Sequence, residues 1–425
     1  MTESRLVAEL KEVAAGLPPH RVLYRLAPGS AKGAGNWERA VLAALEKPIG
    51  APPLSALARP GMKTVILTDD LTRPTPQREL LPPLLACLNA AGVPDSDITI
   101  IIALGTHRYM TEAEIRERFG DDICSRVPVI NHTWMDEATF AELGATPRGT
   151  PVRVNRIAHE ADLLIGTGSI VPHVYAGWSG GAKILQPGIC APDTTACTHC
   201  MAADGPDLLG IAGRSSNPVR REIEDIAAVA GLDFVLNVVL DAGGAPVWAG
   251  AGDFVRAHRA GVAAARKIYV RGIPEPADVV LVDARPTSVD YWQAVKALAN
   301  AFRGVKRGGT AILVGELPDG IAPTHPEFIR YAREPYEAIV SAYEAGEIKD
   351  GIASATMRLH ALIMAHCGVI CVSPGMSAGD KEKLGFRHAE TVADAVEGAL
   401  GEQKDGARVG IIEYGGDVLP APPAS

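Results

Sequence analysis

Residues 161–200, ADLLIGTGSIVPHVYAGWSGGAKILQPGICAPDTTACTHC, decide how the rest of the chain is read. Leu163, Leu164 and Ile165 open the stretch as a buried strand that runs into glycines, the pattern of a strand delivering a loop to a sheet edge. The loop carries His173, the run Gly177-Trp178-Ser179-Gly180-Gly181, then Lys183 and His199. Glycines at such a place let backbone N–H groups approach a ligand closely. A lysine just beyond them acts as a cationic clamp or, when desolvated, as a nucleophile. A tight turn before an ordinary helix would use the same letters, but the crowding of His, Lys and His favours a site.

Working outward, two upstream segments repeat the strand–loop–helix plan. Residues 63–68 form a short β-branched strand, followed by Asp69-Asp70-Leu71-Thr72-Arg73-Pro74-Thr75-Pro76 and a helix over 78–91 that Gly92 stops. Residues 97–104 form the next strand, which ends in Gly105-Thr106-His107-Arg108, and Thr111 with Glu114 has capping-box spacing. Three strands thus bring Asp70 and Arg73, His107, and His173 to their C-terminal ends, the edge at which an open parallel sheet binds ligands. Taken singly, Asp69 and Asp70 read as helix caps, Arg73 as a surface charge and His107 as a loop histidine; their convergence argues otherwise. His132, His159, His258, His325, His360, His366 and His388 lack comparable settings.

Downstream, the strand 277–282 leads through a loop to a helix on which Gln293 and Lys296 share a face, and the strand 311–314 follows. The expected fold is α/β, with two α/β domains built on mainly parallel sheets and an active-site cleft between them. Residues 1–272 form the first domain, with the C-terminal tail packing back on it; 277–415 form the second, and the Pro-rich 272–276 is the linker.

At 425 residues the chain is long enough for two or three domains and a large core. A net charge of −9 disfavours nucleic acid or an anionic membrane surface as the partner, so an anionic ligand needs positive charge concentrated locally. The start, MTESRLVAELKEVAAGL, carries acidic residues and resembles neither a signal nor a transit peptide, and no apolar run reaches spanning length. Seven cysteines at irregular spacings fit reduced thiols, so a cytoplasmic protein is expected.

Together, D-D-L-T-R-P-T-P, G-T-H-R, H-x-x-x-G-W-S-G-G-A-K with its downstream T-H, and the Gln293/Lys296 pair resemble the nickel-dependent lactate racemase family, in this order along the chain. The resemblance implies a racemase or epimerase of a small-molecule 2-hydroxy acid that uses a nickel-pincer nucleotide, a pyridinium mononucleotide whose two sulfur-bearing arms and a ring carbon grip nickel. It implies that His107 and His173 are catalytic bases and that Arg73, Gln293 and Lys296 bind substrate. Asp70, Thr72, Gly177, Ser179, Gly180, Gly181 and Lys183 would contact the cofactor, with Lys183 contacting it or joined to it as a thioamide, and His199 would be the nickel ligand. Proteins that make the cofactor are implied partners. Beyond 300 the resemblance thins, and no substrate-pocket aromatic is found in 350–366.

The chemistry calls for this set. Inverting C2 of a 2-hydroxy acid by deprotonation makes a costly carbanion, whereas removing hydride as a base takes the hydroxyl proton leaves a neutral 2-oxo acid. Each enantiomer then needs its own base, and histidine titrates in the right range. Arg73 and Lys296 suit the carboxylate. A hydride acceptor must be an organic cofactor. Three alternatives remain: a larger aromatic or sugar-derived 2-hydroxy acid as substrate, a zinc hydrolase built on Cys190, Cys197, His199 and Cys200, and a non-catalytic carboxylate-binding protein.

Overall fold

The computed structural model describes residues 4–30, 33, 35–205 and 207–423. Two six-stranded sheets carry the α/β fold. In the first, the order is Pro246–Gly252, Phe234–Leu240, Leu163–Ser169, Thr64–Thr68, Ile98–Ile102, Val129–Asn131, parallel except for the antiparallel edge Pro246–Gly252. Thr64–Thr68 and Leu163–Ser169 are buried along their whole lengths, as expected of parallel strands covered by helices on both faces. These strands and Ile98–Ile102 are neighbours, so the loops that follow them open side by side.

The second sheet is parallel throughout, in the order Val22–Leu26, Val409–Ile412, Ala277–Asp283, Val305–Val314, Gly368–Val372, Arg387–His388. Chain order alone puts residues 5–26 with the first unit, but Val22–Leu26 pairs with Val409–Ile412 and the helix Arg5–Gly16 buries Leu10 and Ala14 against the second sheet. The tail strand Leu419–Ala421 pairs with Val270–Gly272 at the end of the first unit. The two units are therefore stitched by chain crossings at both termini. One hydrophobic cluster also runs between them, from Leu67, Tyr175 and Ile184 to Trp292, Phe328 and Ile352. No helix among the described residues is long and apolar enough to cross a membrane.

Candidate active site

The loop after Thr64–Thr68 folds back on the side chain of Asp70, whose Oδ1 accepts from Thr72 N at 3.1 Å and Thr72 Oγ1 at 2.5 Å. Oδ2 accepts from His107 Nδ1 at 2.6 Å, delivered by the neighbouring strand. A carboxylate only accepts, so Nδ1 carries the proton and the neutral ring's lone pair sits on Nε2. Gln293 Nε2 donates to that lone pair at 2.8 Å, and Gln293 Oε1 accepts from Lys296 Nζ. One glutamine from the second unit thus caps both a candidate base and a candidate carboxylate clamp. Burial pushes His107 below its ordinary value; Asp70 pulls it back, and Lys296 and Arg73 add to the fall. For Asp70, burial acts upward, but His107, Thr72 and Arg73 outweigh it and hold the carboxyl well below the usual range. Both oxygens of Asp70 are engaged with Thr72 and His107, so the carboxylate orients the His107 ring. Asp69, by contrast, is a brace bound by Gln77, Arg118 and Thr75.

His173 sits in a short hairpin, Pro172–His173 against Gly177–Trp178. Its Nδ1 accepts from Tyr175 N at 3.2 Å and Ala176 N at 3.3 Å, so the neutral ring carries its proton on Nε2. Burial, then Lys183, Lys296, Arg73 and His199, push it well below the ordinary value. The two histidines line one cavity but present opposite faces of the acid–base couple, a lone pair from His107 and an N–H from His173.

The glycine run works differently from the sequence-based expectation. Gly177, Gly180 and Gly181 all have positive φ, at 79°, 74° and 57°. A Cβ on Gly177 would lie 2.0 Å from Arg214 O, and one on Gly181 2.8 Å from Phe254 O. These two glycines answer packing behind the loop and lie off the cavity wall; Ser179 and Gly180 line it. The Ser179 hydroxyl is committed to the loop itself, donating to Ser169 O and accepting from Val171 N, both at 2.8 Å. Behind the loop the fully buried Arg220 donates to the carbonyls of Ala176, Trp178 and Gly180, and His258 Nε2 donates to Ser179 O at 2.9 Å. Neither residue is distinguishable in the sequence, since Arg220 reads as one more charge on the amphipathic helix Pro218–Ala230.

Three basic side chains face the cavity: Arg73, Lys183 and Lys296. Lys183 has no hydrogen-bonded acceptor among the described residues, and burial followed by Arg73, Lys296 and Arg220 drives its pKa well below the ordinary value. Burial, then Arg73, lower Lys296 to about 7 against the pull of Asp70, Asp290 and Asp417. Only the charged ammonium attracts a carboxylate, so kcat/KM for an anionic substrate should fall as pH rises through about 7. Lys296→Arg should move that alkaline limb out of range because a guanidinium stays charged. A pH profile of both proteins checks this; an unchanged limb in Lys296→Arg would contradict it.

On the helix Pro192–Ala203, His199 Nδ1 donates to Thr195 O at 3.0 Å, which fixes the tautomer and leaves Nε2 free at the cavity wall. Burial brings it down to about 3, so the ring is neutral at physiological pH. The cysteines nearby do not join it: Cys190 Sγ donates to Leu185 O and Cys200 Sγ to Gly351 O. Among the described residues no group of three or more His, Cys, Asp or Glu side chains is placed to hold a metal, so the zinc-hydrolase alternative lacks its ligand set.

The cavity, about 930 Å³ including its open mouth, takes its remaining wall from residues that sequence reading missed, among them Trp292, Tyr175, Ile352 and Thr356.

Residues 9–208 match the family model described as the lactate racemase N-terminal domain. The chain is 30% identical to the lactate racemase of Lactiplantibacillus plantarum over 88% of its own length and 89% of that protein. It is 33% identical to the lactate racemase of Thermoanaerobacterium thermosaccharolyticum over 73% of each. The structure of the latter's apoprotein superposes with a TM-score of 0.82 at 29% identity, covering 95% of this chain and 96% of that one. A Thermotoga maritima protein, 18% identical with a TM-score of 0.72, shares the fold. With this identity sustained over nearly the whole of both sequences, the chain belongs to the lactate racemase family, a family of isomerases.

Proposed function

We propose that this protein interconverts the enantiomers of a small 2-hydroxy acid, lactate or a close analogue, with a nickel-pincer nucleotide as its cofactor. The observation that carries the reading is the single cavity that joins two histidines of complementary protonation to Arg73 and Lys296 from different units. The residues fit the cofactor as well. His199 offers an uncommitted Nε2, the Lys183 amine has no acceptor, and the wall residues Ser169 and Thr195 hold buried hydroxyls without partners. Lys183 and these hydroxyls would hold the nucleotide, and His199 would bind its nickel. When bound, that group supplies the hydride acceptor no side chain can provide.

The protein's part follows from its geometry. Arg73 and Lys296 hold the carboxylate and fix which face of C2 is presented. Gln293 swings off His107, whose Nε2 then takes the hydroxyl proton, and Asp70 stabilises the imidazolium. The Nε2–H of His173 steadies the same oxygen from its own side. To serve as base for the opposite enantiomer, His173 must shift its proton to Nδ1 and give up two backbone hydrogen bonds. The two directions are therefore chemically inequivalent.

A larger substrate is the second reading. It is favoured by Thr356, whose hydroxyl lies 3.2 Å from that of Tyr175 and makes a polar patch on the cavity wall. Chiral chromatography of the nickel-loaded protein with pure D- and L-lactate, alongside longer and polyhydroxylated 2-hydroxy acids, decides between them. Racemisation of lactate is expected, and inactivity on every 2-hydroxy acid would contradict the proposal.

A further inference from the structure

We propose that His325 is a positioning residue for the His107 base: buried between Thr106 and the part-exposed Asp350, it forms a relay that locks the His107 loop onto the second unit. The inference takes only the role of His107 from the racemase reading. Thr106, His107 and Arg108 are consecutive, and each bonds across the cleft, to His325, Gln293 and Asp319 respectively. The three ties differ in kind. Arg108 and Asp319 are part-exposed, so their ion pair contributes little. The Gln293 bond occupies the lone pair that must receive the substrate's proton, so it has to open during turnover. The tie through His325, whose side chain is 2% exposed, is the one that persists in the reacting state.

The tautomer follows from the partners. His325 Nδ1 donates to Asp350 Oδ2 at 2.6 Å, so the neutral ring's lone pair is on Nε2 and Thr106 Oγ1 donates to it at 3.1 Å. Thr106 spends its one proton this way and turns only lone pairs to the cavity it lines. The imidazole stacks on Trp292, centroids 4.1 Å apart at 18°, and lies nearly parallel to Trp134 at 6.4 Å. Trp134 Nε1 donates to His107 O at 2.8 Å, and Trp292 precedes Gln293. Asp350 Oδ1 also caps the helix Gly351–His366, accepting from Ile352 N and Ala353 N at 3.0 Å each. That helix brings Ile352 and Thr356 to the cavity. A satisfied network around a buried imidazole selects one arrangement of the groups it joins. Here it joins the base, the substrate clamp helix and the opposite wall.

The test uses the full chain with His325→Phe, which keeps the ring stack and removes both hydrogen bonds, and Thr106→Val, which removes one hydroxyl and keeps the shape. Each should lower kcat by about 10- to 100-fold with KM shifted far less, the effect of a misplaced reacting group. The double variant should be no worse than either single one, because both cut the same relay. Independently of activity, hydrogen–deuterium exchange at residues 103–110 should rise in both variants while residues 234–240 stay protected. Wild-type kcat in either variant, additive losses in the double variant, or unchanged exchange at 103–110 would overturn the relay. If the parent protein racemises nothing, the functional proposal fails and the exchange readout still decides this one.

Discussion

His107→Ala should abolish net racemisation, with kcat falling by about 10²- to 10⁴-fold, the range for losing a general base. The protein invests heavily in this imidazole: Asp70 fixes its tautomer, Gln293 holds its lone pair, and a network around the buried His325 anchors its loop. His173→Ala should also abolish interconversion, but with a different residue of activity. A single turnover with the enantiomer served by His107 should still yield 2-oxo acid, because hydride departure and hydroxyl deprotonation are coupled on that face alone. The reciprocal half-reaction in His107→Ala should be slower than the one that His173→Ala retains, since His173 must first surrender its hydrogen bonds from Tyr175 and Ala176. Rapid-quench detection of 2-oxo acid from each pure enantiomer reads this out. Unchanged racemisation in either variant would make that histidine structural and end the two-base scheme.

The second large effect is expected at His199. His199→Ala should lose bound nickel and all racemase activity, whereas Cys197→Ser and Cys200→Ser should keep both. The physical reason is that His199 alone among these residues offers an uncommitted ring nitrogen at the cavity, held ready by its Nδ1–H···O=C bond to Thr195. Elemental analysis of protein purified from cells that make the cofactor checks it. Metal retention in His199→Ala, or retention that depends on the cysteines, would contradict the assignment.

What could be read from the sequence was local. Asp70, Arg73, His107 and His173 each follow a strand within a few residues, so recognising three strands and their order sufficed to bring them to one edge. What crowds Gly177 and Gly181 is Arg214, Phe254 and His258, none of them near in the chain, so no local pattern could show what these two glycines pack against. His325 looked ordinary because its meaning depends on Thr106, 219 residues away, and on the face of Trp292. Arg220 was invisible for the same reason: nothing in an amphipathic helix marks the one charge that turns inward to three carbonyls. Nor could the pattern of residues 1–60 announce that Val22–Leu26 pairs with a strand near the other end of the chain.

Following the C2 hydrogen tests most directly whether these residues serve hydride transfer or plain deprotonation. The protein, loaded with the proposed nickel-pincer nucleotide, is given one enantiomer of 2-deuterolactate in ordinary water, and the opposite enantiomer is isolated and weighed by mass spectrometry. If His107 and His173 handle only the hydroxyl proton, the deuterium leaves and returns as hydride, and the product retains it at C2. Product carrying solvent hydrogen at C2 from the first turnovers would mean that a histidine removes the C2 proton itself, and the hydride route would be wrong.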